Sequence, residues 1–455
     1  VSETESSPFE PLYTAEEMRA AEAGHDVDEL MVRAGRGLAE FILAEWDEDD
    51  AITVVCGSGN NGGDGKVAAS VLRDAGRDVR LVDAKPETEE KDLGSPGIVV
   101  DALFGTGFRG EPRPAAAKLI DQINASRAEV VAVDVPSGVD ASTGEVAGPA
   151  VDAVATVTFH REKVGLRVAP GVYHVGDLQV VDIGLGDRRT AHARPTEEVL
   201  ARVPLRAARD TKYTAGSVLV VGGSPGLTGA AVLAATAAFR ADAGYVTVAA
   251  PRGSLPVLEQ QLLEAVKRPL DDVWDAVGRA RSIALGPGLG RSAETKALVR
   301  RLLEETDRPA VVDADGLWEL EPFRRDAETV LTPHSGELAR LLDVESSWVD
   351  AHRLEAARRA VERFDCVVLL KGEGTIVAAP GDEPTLVCPG YPSLATAGTG
   401  DVLTGIIGSF LAKGMDARFA AATAATAHAE AAAEAPQRAG LVASDVVAML
   451  PYVLG

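Results

Sequence analysis

Apolar residues along this chain follow two rhythms. Between Thr14 and about Glu45 they recur at helical spacing, as in Met31, Ala34, Leu38, Phe41 and Ile42, which gives a helix one face to bury. Beyond that point, short unbroken apolar runs alternate with helix-like segments. Ala51–Cys56, Val79–Val82, Ile98–Leu103, Val130–Val135, Val154–Phe159 and Leu178–Ile183 read as strands. Lys66–Ala75, closed by Gly76, and Ala115–Asn124 read as helices. Strands that are apolar at every position are covered on both faces, which predicts a parallel sheet between helical layers. The first dozen residues, polar with two prolines, read as loose.

The rhythm breaks over Ala193–Pro204 and restarts at Ser217–Val221. An Ala-rich helix follows from about Gly229 to Ala243. Strands are expected at Tyr245–Ala249, Ser282–Leu285, Ala310–Val312, Val330–Leu331 and Val367–Leu370. A chain of 455 residues calls for two domains, placed at residues 1–198 and 199–455. Both are α/β. The second does not repeat the first, because its loop motifs differ in kind and order. Ala420–Ala435 is Ala-rich but carries His428, Glu430 and Glu434, so it reads as a buried helix and not a membrane span.

Composition narrows the partners. The formal charge is −24, and the 45 basic residues divide into 35 Arg and 10 Lys. Acidic residues are interspersed with apolar ones, which argues against disorder, nucleic acid and an anionic membrane surface. The plainer reading is an ordinary acidic protein. The Arg-to-Lys ratio favours a protein of a salt-loving microbe, where salt screens the self-repulsion. Cys56, Cys366 and Cys388 are too scattered for a zinc site or a disulfide framework. No signal peptide is recognised, and a cytoplasmic protein is expected.

The chemistry gathers where strands end. Gly57-Ser-Gly-Asn-Asn-Gly-Gly-Asp-Gly65 follows the first strand. Asp101 and the segment Gly105–Glu111 follow the third, Asp134–Asp140 the next, and His160–Lys163 the one after. Any one of these could be a tight turn. Four at the carboxyl edge of one parallel sheet read as a site. The first loop also fits G-x-G-x-x-G, with Asp83 about twenty residues on, the weak fingerprint of a dinucleotide-binding dehydrogenase. Asn60-Asn61 and the acid Asp64 are odd for that reading; the plainer role of Asp64 is a helix N-cap. In the second half, Gly398-Thr-Gly-Asp401 opens an apolar helix, and Lys371-Gly-Glu-Gly-Thr375 lies at a strand end. Amide groups at such a helix start suit an anion, and Asp401 is placed to take a proton from an acceptor hydroxyl. A capped helix start is the commoner meaning of a lone G-x-G-D.

The motifs GSGNNGGDG, DALFGTGFRGE, VDVPSGVD and FHREKVGL together resemble the NAD(P)H-hydrate epimerase family, in that family's order. The resemblance implies a Rossmann-like three-layer domain. It implies that Asn60, Asn61, Gly62, Gly63 and Asp64, with Gly105, Thr106, Gly107, Phe108, Arg109, Gly110 and Glu111, hold the substrate, and that Asn61, Asp101 and Ser137 hold a potassium ion. The substrate is a nicotinamide hydrated at C6, a hemiaminal, whose inversion needs a group that gives and takes a proton. Asp134 is the first candidate and Lys163 the second; for Lys163 a phosphate or surface contact is the alternative.

From Lys212 onward, Lys212-Tyr-Thr-Ala-Gly216, Gly223–Ala231, Gly286-Pro-Gly-Leu-Gly290, Asp313-Ala-Asp-Gly-Leu317 and Leu331-Thr-Pro-His-Ser-Gly-Glu337, with the KGEGT and AGTGD segments, resemble the NAD(P)H-hydrate dehydratase family of ribokinase-like α/β fold. The resemblance implies a hydrate site at Ala231, Gly288, His334 and Asp401. It implies nucleotide contacts at Lys371, Gly372, Glu373, Gly374, Thr375 and Gly400, with ADP or ATP and magnesium. Asp401 would be the base. The chain then reads as a bifunctional enzyme acting on NADHX and NADPHX, and relatives suggest a homo-oligomer. One alternative is a small-molecule kinase fused to a dehydrogenase-like domain, against which Asn60-Asn61 and LTPHSGE speak. Another is a first half that only senses dinucleotide, which loss of Asp101, Asp134 and Ser137 would have signalled.

Overall fold

The computed structural model describes residues 7–84, 92–437 and 439–455. They form two compact units. One spans Pro11–Ala193. The other spans Arg194–Gly455 and includes residues 7–10.

The first unit is a six-stranded parallel sheet. Its strands are β1 (Ile52–Cys56), β2 (Val79–Asp83), β3 (Ile98–Ala102), β4 (Glu129–Val133), β5 (Ala155–Phe159) and β6 (Asp177–Val181), in the order β2-β1-β3-β4-β5-β6. Alternation along each strand feeds both faces. Val54 and Val100 point into a core with Leu38, Ile42 and Leu72. Val55 and Val99, one residue away, point into another with Leu119, Ile120 and Ile123. Each such fully buried aliphatic side chain contributes about 1.5–3 kcal/mol, so the sheet is stable only while both faces are covered. Helices α1 (Ala15–Glu22), α2 (Val27–Glu45), α3 (Asn60–Asp74) and α4 (Pro114–Asn124) complete the layers.

Three expectations are corrected here. The Thr14–Glu45 stretch is two helices, broken at Gly24 (φ 90°), with the Asp26 side chain capping the second. The glycine loop is mostly helix: α3 starts at Asn60, six residues before the expected Lys66, with Gly59 as its cap residue. Asp64 therefore lies in the second turn and is not the cap. Of the first dozen residues, 1–6 lie outside the described residues and Phe9–Leu12 form a strand.

Glycine is required where β1 meets α3. A Cβ on Gly57 would sit 2.0 Å from the Leu103 carbonyl oxygen, and one on Gly62 the same distance from the Gly57 carbonyl oxygen. Gly57→Ala is expected to lower stability by about 1–3 kcal/mol, the usual cost of overpacking. A melting curve on the full chain checks this.

The second unit has β7 (Ser217–Val221), β8 (Tyr245–Ala250), β9 (Val266–Pro269), β10 (Ser282–Leu285), β11 (Ala310–Val312), β12 (Thr329–Leu331), β13 (Val367–Leu370), β14 (Thr375–Ala378) and β15 (Thr385–Cys388). Their order is β15-β14-β13-β12-β11-β10-β7-β8-β9. Pairing is parallel from β9 to β13 and antiparallel through β14 and β15. Helix α5 (Thr228–Arg240) packs on α6 (Thr399–Ala412) so closely that a Cβ on Gly405 would lie 2.2 Å from the Ala234 carbonyl oxygen. Small residues in both helices permit that approach. Helix α7 (Ala417–Ala433) is buried along most of its length, as its alanines require.

Candidate active sites

At the carboxyl edge of the first sheet lies a cavity of about 750 Å³, within the usual size range for a small-molecule site. Met18, Leu30 and Met31 form an apolar wall. Phe104 and Phe108, stacked with centroids 4.9 Å apart, line it from the loop after β3. Asn60, Asn61, Asp64, Gly105, Thr106, Gly107, Arg109, Glu111 and Asp134 also face it. Gly62, Gly63 and Gly110 are not among its lining. Gly62 and Gly63 pack against Gly57 and Met31, and Gly110 is a turn residue at φ 74°.

Asp134 follows β4 in the left-handed region (φ 68°), a conformation that costs a non-glycine residue on the order of 1 kcal/mol. It aims its carboxylate between the cavity and Lys163. The Lys163 side chain is fully buried. Its Nζ donates to Asp134 Oδ1 (2.5 Å), Thr158 Oγ1 (2.8 Å) and the Phe159 carbonyl (2.8 Å). All three donors are used, so Lys163 meets the cavity through Asp134. It is neither a surface residue nor a free phosphate contact.

Behind the same loops, Asp101 is completely buried at the end of β3. It accepts from Ser137 N (2.8 Å), Ser137 Oγ (2.7 Å) and Leu103 N (3.2 Å). Burial pushes Asp101 up to about 6, against those hydrogen bonds. Ser137 Oγ accepts from Phe104 N (2.9 Å), and Asn61 Nδ2 donates to the Phe104 carbonyl (2.9 Å). The buried Asn61 Oδ1 has no hydrogen-bond partner among the described residues. Asp83 pairs with Lys66 at 2.9 Å on the surface.

In the second unit, the segments after β11, β12 and β13 meet at the start of α6. Lys371, after β13, donates to Asp313 Oδ1 (2.6 Å) and lies 3.8 Å from Glu337. The other Asp313 oxygen accepts from Thr404 Oγ1 (2.7 Å). A Cβ on Gly400 would lie 3.4 Å from Lys371 Nζ, so the ammonium faces the amide end of α6. Burial opposes the Lys371 charge, but Asp313 and Glu337 outweigh it and raise its pKa. Asp401, in the first turn of α6, is pushed up to about 7 by burial and by Asp313, with Lys371 opposing.

His334 accepts from the Gly336 amide through Nδ1 (3.0 Å), capping the helix Ser335–Leu342. Burial lowers its pKa, and the open ring nitrogen, Nε2, lies 3.6 Å from Glu337. Gly288 (φ 56°) packs against Leu227 and Ala230 beside Ala231. Leu233 of the same helix meets Gly398. Arg353 donates to the Lys371 carbonyl (3.2 Å), and its guanidinium leaves no room for a Cβ on Gly372 (φ 143°). Thr375 is the first residue of β14, its Oγ1 donating to the Gly372 carbonyl (2.8 Å). Glu373 packs against Gly390, and Gly374 is buried at φ 62°.

Sequence reasoning gave Asp313, Thr404, Glu337 and Thr158 no role. Asp313 and Glu337 lay inside quoted motifs, and their strand-end and helix-start positions were the available signal. His428, also unassigned, is buried in α7 and hydrogen-bonded to the Thr399 backbone; burial pushes it down to about 4.

Two α/β units, each with charged side chains gathered at the carboxyl edge of its own sheet, define a two-centre enzyme. The family described as NAD(P)H-hydrate dehydratase matches residues 218–451, and the YjeF-related protein N-terminus matches 27–94 and 83–165. The bifunctional NAD(P)H-hydrate repair enzyme Nnr of Moorella thermoacetica is 38% identical, covering 93% of this chain and 92% of that protein. The ADP/ATP-dependent NAD(P)H-hydrate dehydratase of Bacillus subtilis, co-crystallised with ATP/Mg2+, superposes with a TM-score of 0.52. It is 32% identical, over 57% of this chain and 96% of that one. A ribokinase-like superfamily protein of Enterococcus faecalis shares the fold at 22% identity and a TM-score of 0.53, over 59% and 97% of the two chains. The chain belongs to the bifunctional NAD(P)H-hydrate repair enzyme family. Among the described residues no helix is long and apolar enough to cross a membrane.

Proposed function

We propose that this chain repairs hydrated NADH and NADPH. The first unit interconverts the R and S hydrates, and the second dehydrates the S form with ADP or ATP as phosphate donor. What carries the reading, beside family membership, is that each sheet edge holds its own acid–base cluster: Asp134 with Lys163, and Asp401 with Lys371 and Asp313.

In the second unit, Asp401 takes the proton of the C6 hydroxyl as its oxygen attacks the terminal phosphorus. Charge that develops on the transferred group meets the α6 amides and the Lys371 ammonium. Phosphate is the better leaving group. The ring nitrogen expels it, and loss of a proton from C5 restores the dihydronicotinamide. Magnesium would enter with the nucleotide phosphates, near Asp313 and Glu337. His334 and the loops at Ala231 and Gly288 are assigned to the hydrate, and Lys371–Thr375 with Gly400 to the nucleotide.

In the first unit, the orphaned Asn61 Oδ1 beside the buried carboxylate Asp101 and the Ser137 hydroxyl fits a hard monovalent cation with oxygen ligands. Potassium held by Asn61, Asp101 and Ser137 would supply local positive charge near an acidic phosphate site. Asp134 moves the proton of the hydrate hydroxyl, and Lys163 positions it.

NADH absorbance recovered from a mixture of both hydrates tests the reading. Full recovery is expected with ADP or ATP and potassium. Recovery should stop near the S fraction when potassium is replaced by a large organic cation. No recovery with either nucleotide would overturn the dehydratase assignment, and full recovery without potassium would overturn the cation site.

A further inference from the structure

Two carboxyl groups reach the first unit's cavity from different elements, Asp134 from the end of β4 and Asp64 from the second turn of α3. Glu22, the last residue of α1, is a third on the same wall. The charges are unevenly placed. Lys163 is committed to Asp134, Arg19 lies near Glu22, and no ion pair to Asp64 is found among the described residues. Half-buried carboxyls crowded in this way relieve their repulsion by holding a proton. Burial, then Asp134 and Glu22, push Asp64 up to about 8, with Lys163 opposing. Arg109, Glu111 and Arg113 line the cavity as well, and among the described residues neither arginine is ion-paired with Asp64. One carboxyl is thus ion-paired, and its unpaired neighbour is pushed toward its protonated form. Environments that push two like groups apart mark an acid and a base.

We propose that Asp64 is the catalytic acid of epimerisation, acting on the hydrate hydroxyl in partnership with Asp134 as the base. This rests on the epimerase reading of the first unit. The ring-nitrogen lone pair forms the N=C6 bond as the C6–O bond breaks. The Asp64 proton goes to the departing oxygen, which leaves as water. Water then adds to the other face of C6, the N=C6 electron pair returns to nitrogen, and Asp134 accepts the proton of the attacking water. Asp64 ends as carboxylate and Asp134 as acid, the state that runs the reverse inversion.

The test uses the full chain and a single purified epimer, without nucleotide, in ¹⁸O-labelled water. In the wild-type chain, kcat/KM is expected to fall as pH rises above about 8, and each inversion should carry label into the product. Asp64→Asn should lower kcat about 10²- to 10⁴-fold, with KM little changed and the alkaline fall gone. Asp64→Glu, which restores a proton donor, should recover part of kcat. Nucleotide-dependent dehydration of the S hydrate and an unshifted melting curve report that the variants are folded. Wild-type kcat in Asp64→Asn would overturn the proposal. So would inversion that keeps its oxygen, the signature of ring opening. A wild-type chain that does not epimerise at all would overturn the epimerase reading itself.

Discussion

Replacing Asp401 by Ala is expected to cut nucleotide-dependent dehydration about 10²- to 10⁴-fold and to leave epimerisation unchanged. The variant loses the one carboxylate in the first turn of α6, where the helix amides and the Lys371 ammonium converge. Asp401 is raised to about 7 because burial comes together with three carboxylates, Asp313, Asp315 and Glu337, against one ammonium. A base works in its deprotonated form. The wild-type kcat/KM for dehydration should therefore rise with pH through about 7 and level off above it, and Asp401→Ala should lack that rise. If Asp401 only organised the helix start, the variant would raise the nucleotide KM and keep the pH profile. Loss of both activities with an unchanged melting curve would mean that the two units do not divide the labour.

The strand rhythm, both α/β sheets and the loops at their carboxyl edges were legible because parallel strands are apolar throughout and their loops carry Gly, Asp and Asn. What was not legible depended on tertiary contact. The start of α3 hid in GSGNNGGDG because glycine has poor helix propensity. Those glycines are tolerated because β1, β3 and Met31 leave no room for a Cβ. β9 was missed because Val266-Lys-Arg-Pro269 is a half-exposed edge strand with no apolar run. β14 was missed because KGEGT reads as a loop, and Thr375 turns from that loop into the strand. No local pattern shows that Lys163 is core or that Asp134 sits at positive φ. The partnership of Lys371 with Asp313 joins residues 58 apart, beyond any periodicity argument.

Lys163→Ala carries the largest expected effect in the first unit, on both activity and stability. The ammonium is fully buried and fixed by Asp134, Thr158 and the Phe159 carbonyl. Removing one partner of a buried ion pair leaves the other uncompensated and typically costs about 3–5 kcal/mol. The segment around it is held independently. Tyr13 N donates to the Glu162 carbonyl (3.0 Å) and Val164 N to the Tyr13 carbonyl (3.1 Å), so the backbone should survive the substitution. Epimerisation is expected to fall at least about 10²-fold while dehydration stays intact. Because Lys163 meets the cavity only through Asp134, its expected contribution is to aim that carboxylate. The test is chemical rescue: small alkylammonium ions should refill the space and restore part of kcat, with the same efficiency across amines of different basicity. Rescue that tracks amine basicity would make Lys163 itself the proton carrier. A melting temperature lowered without any rescue would reduce it to a structural ion pair.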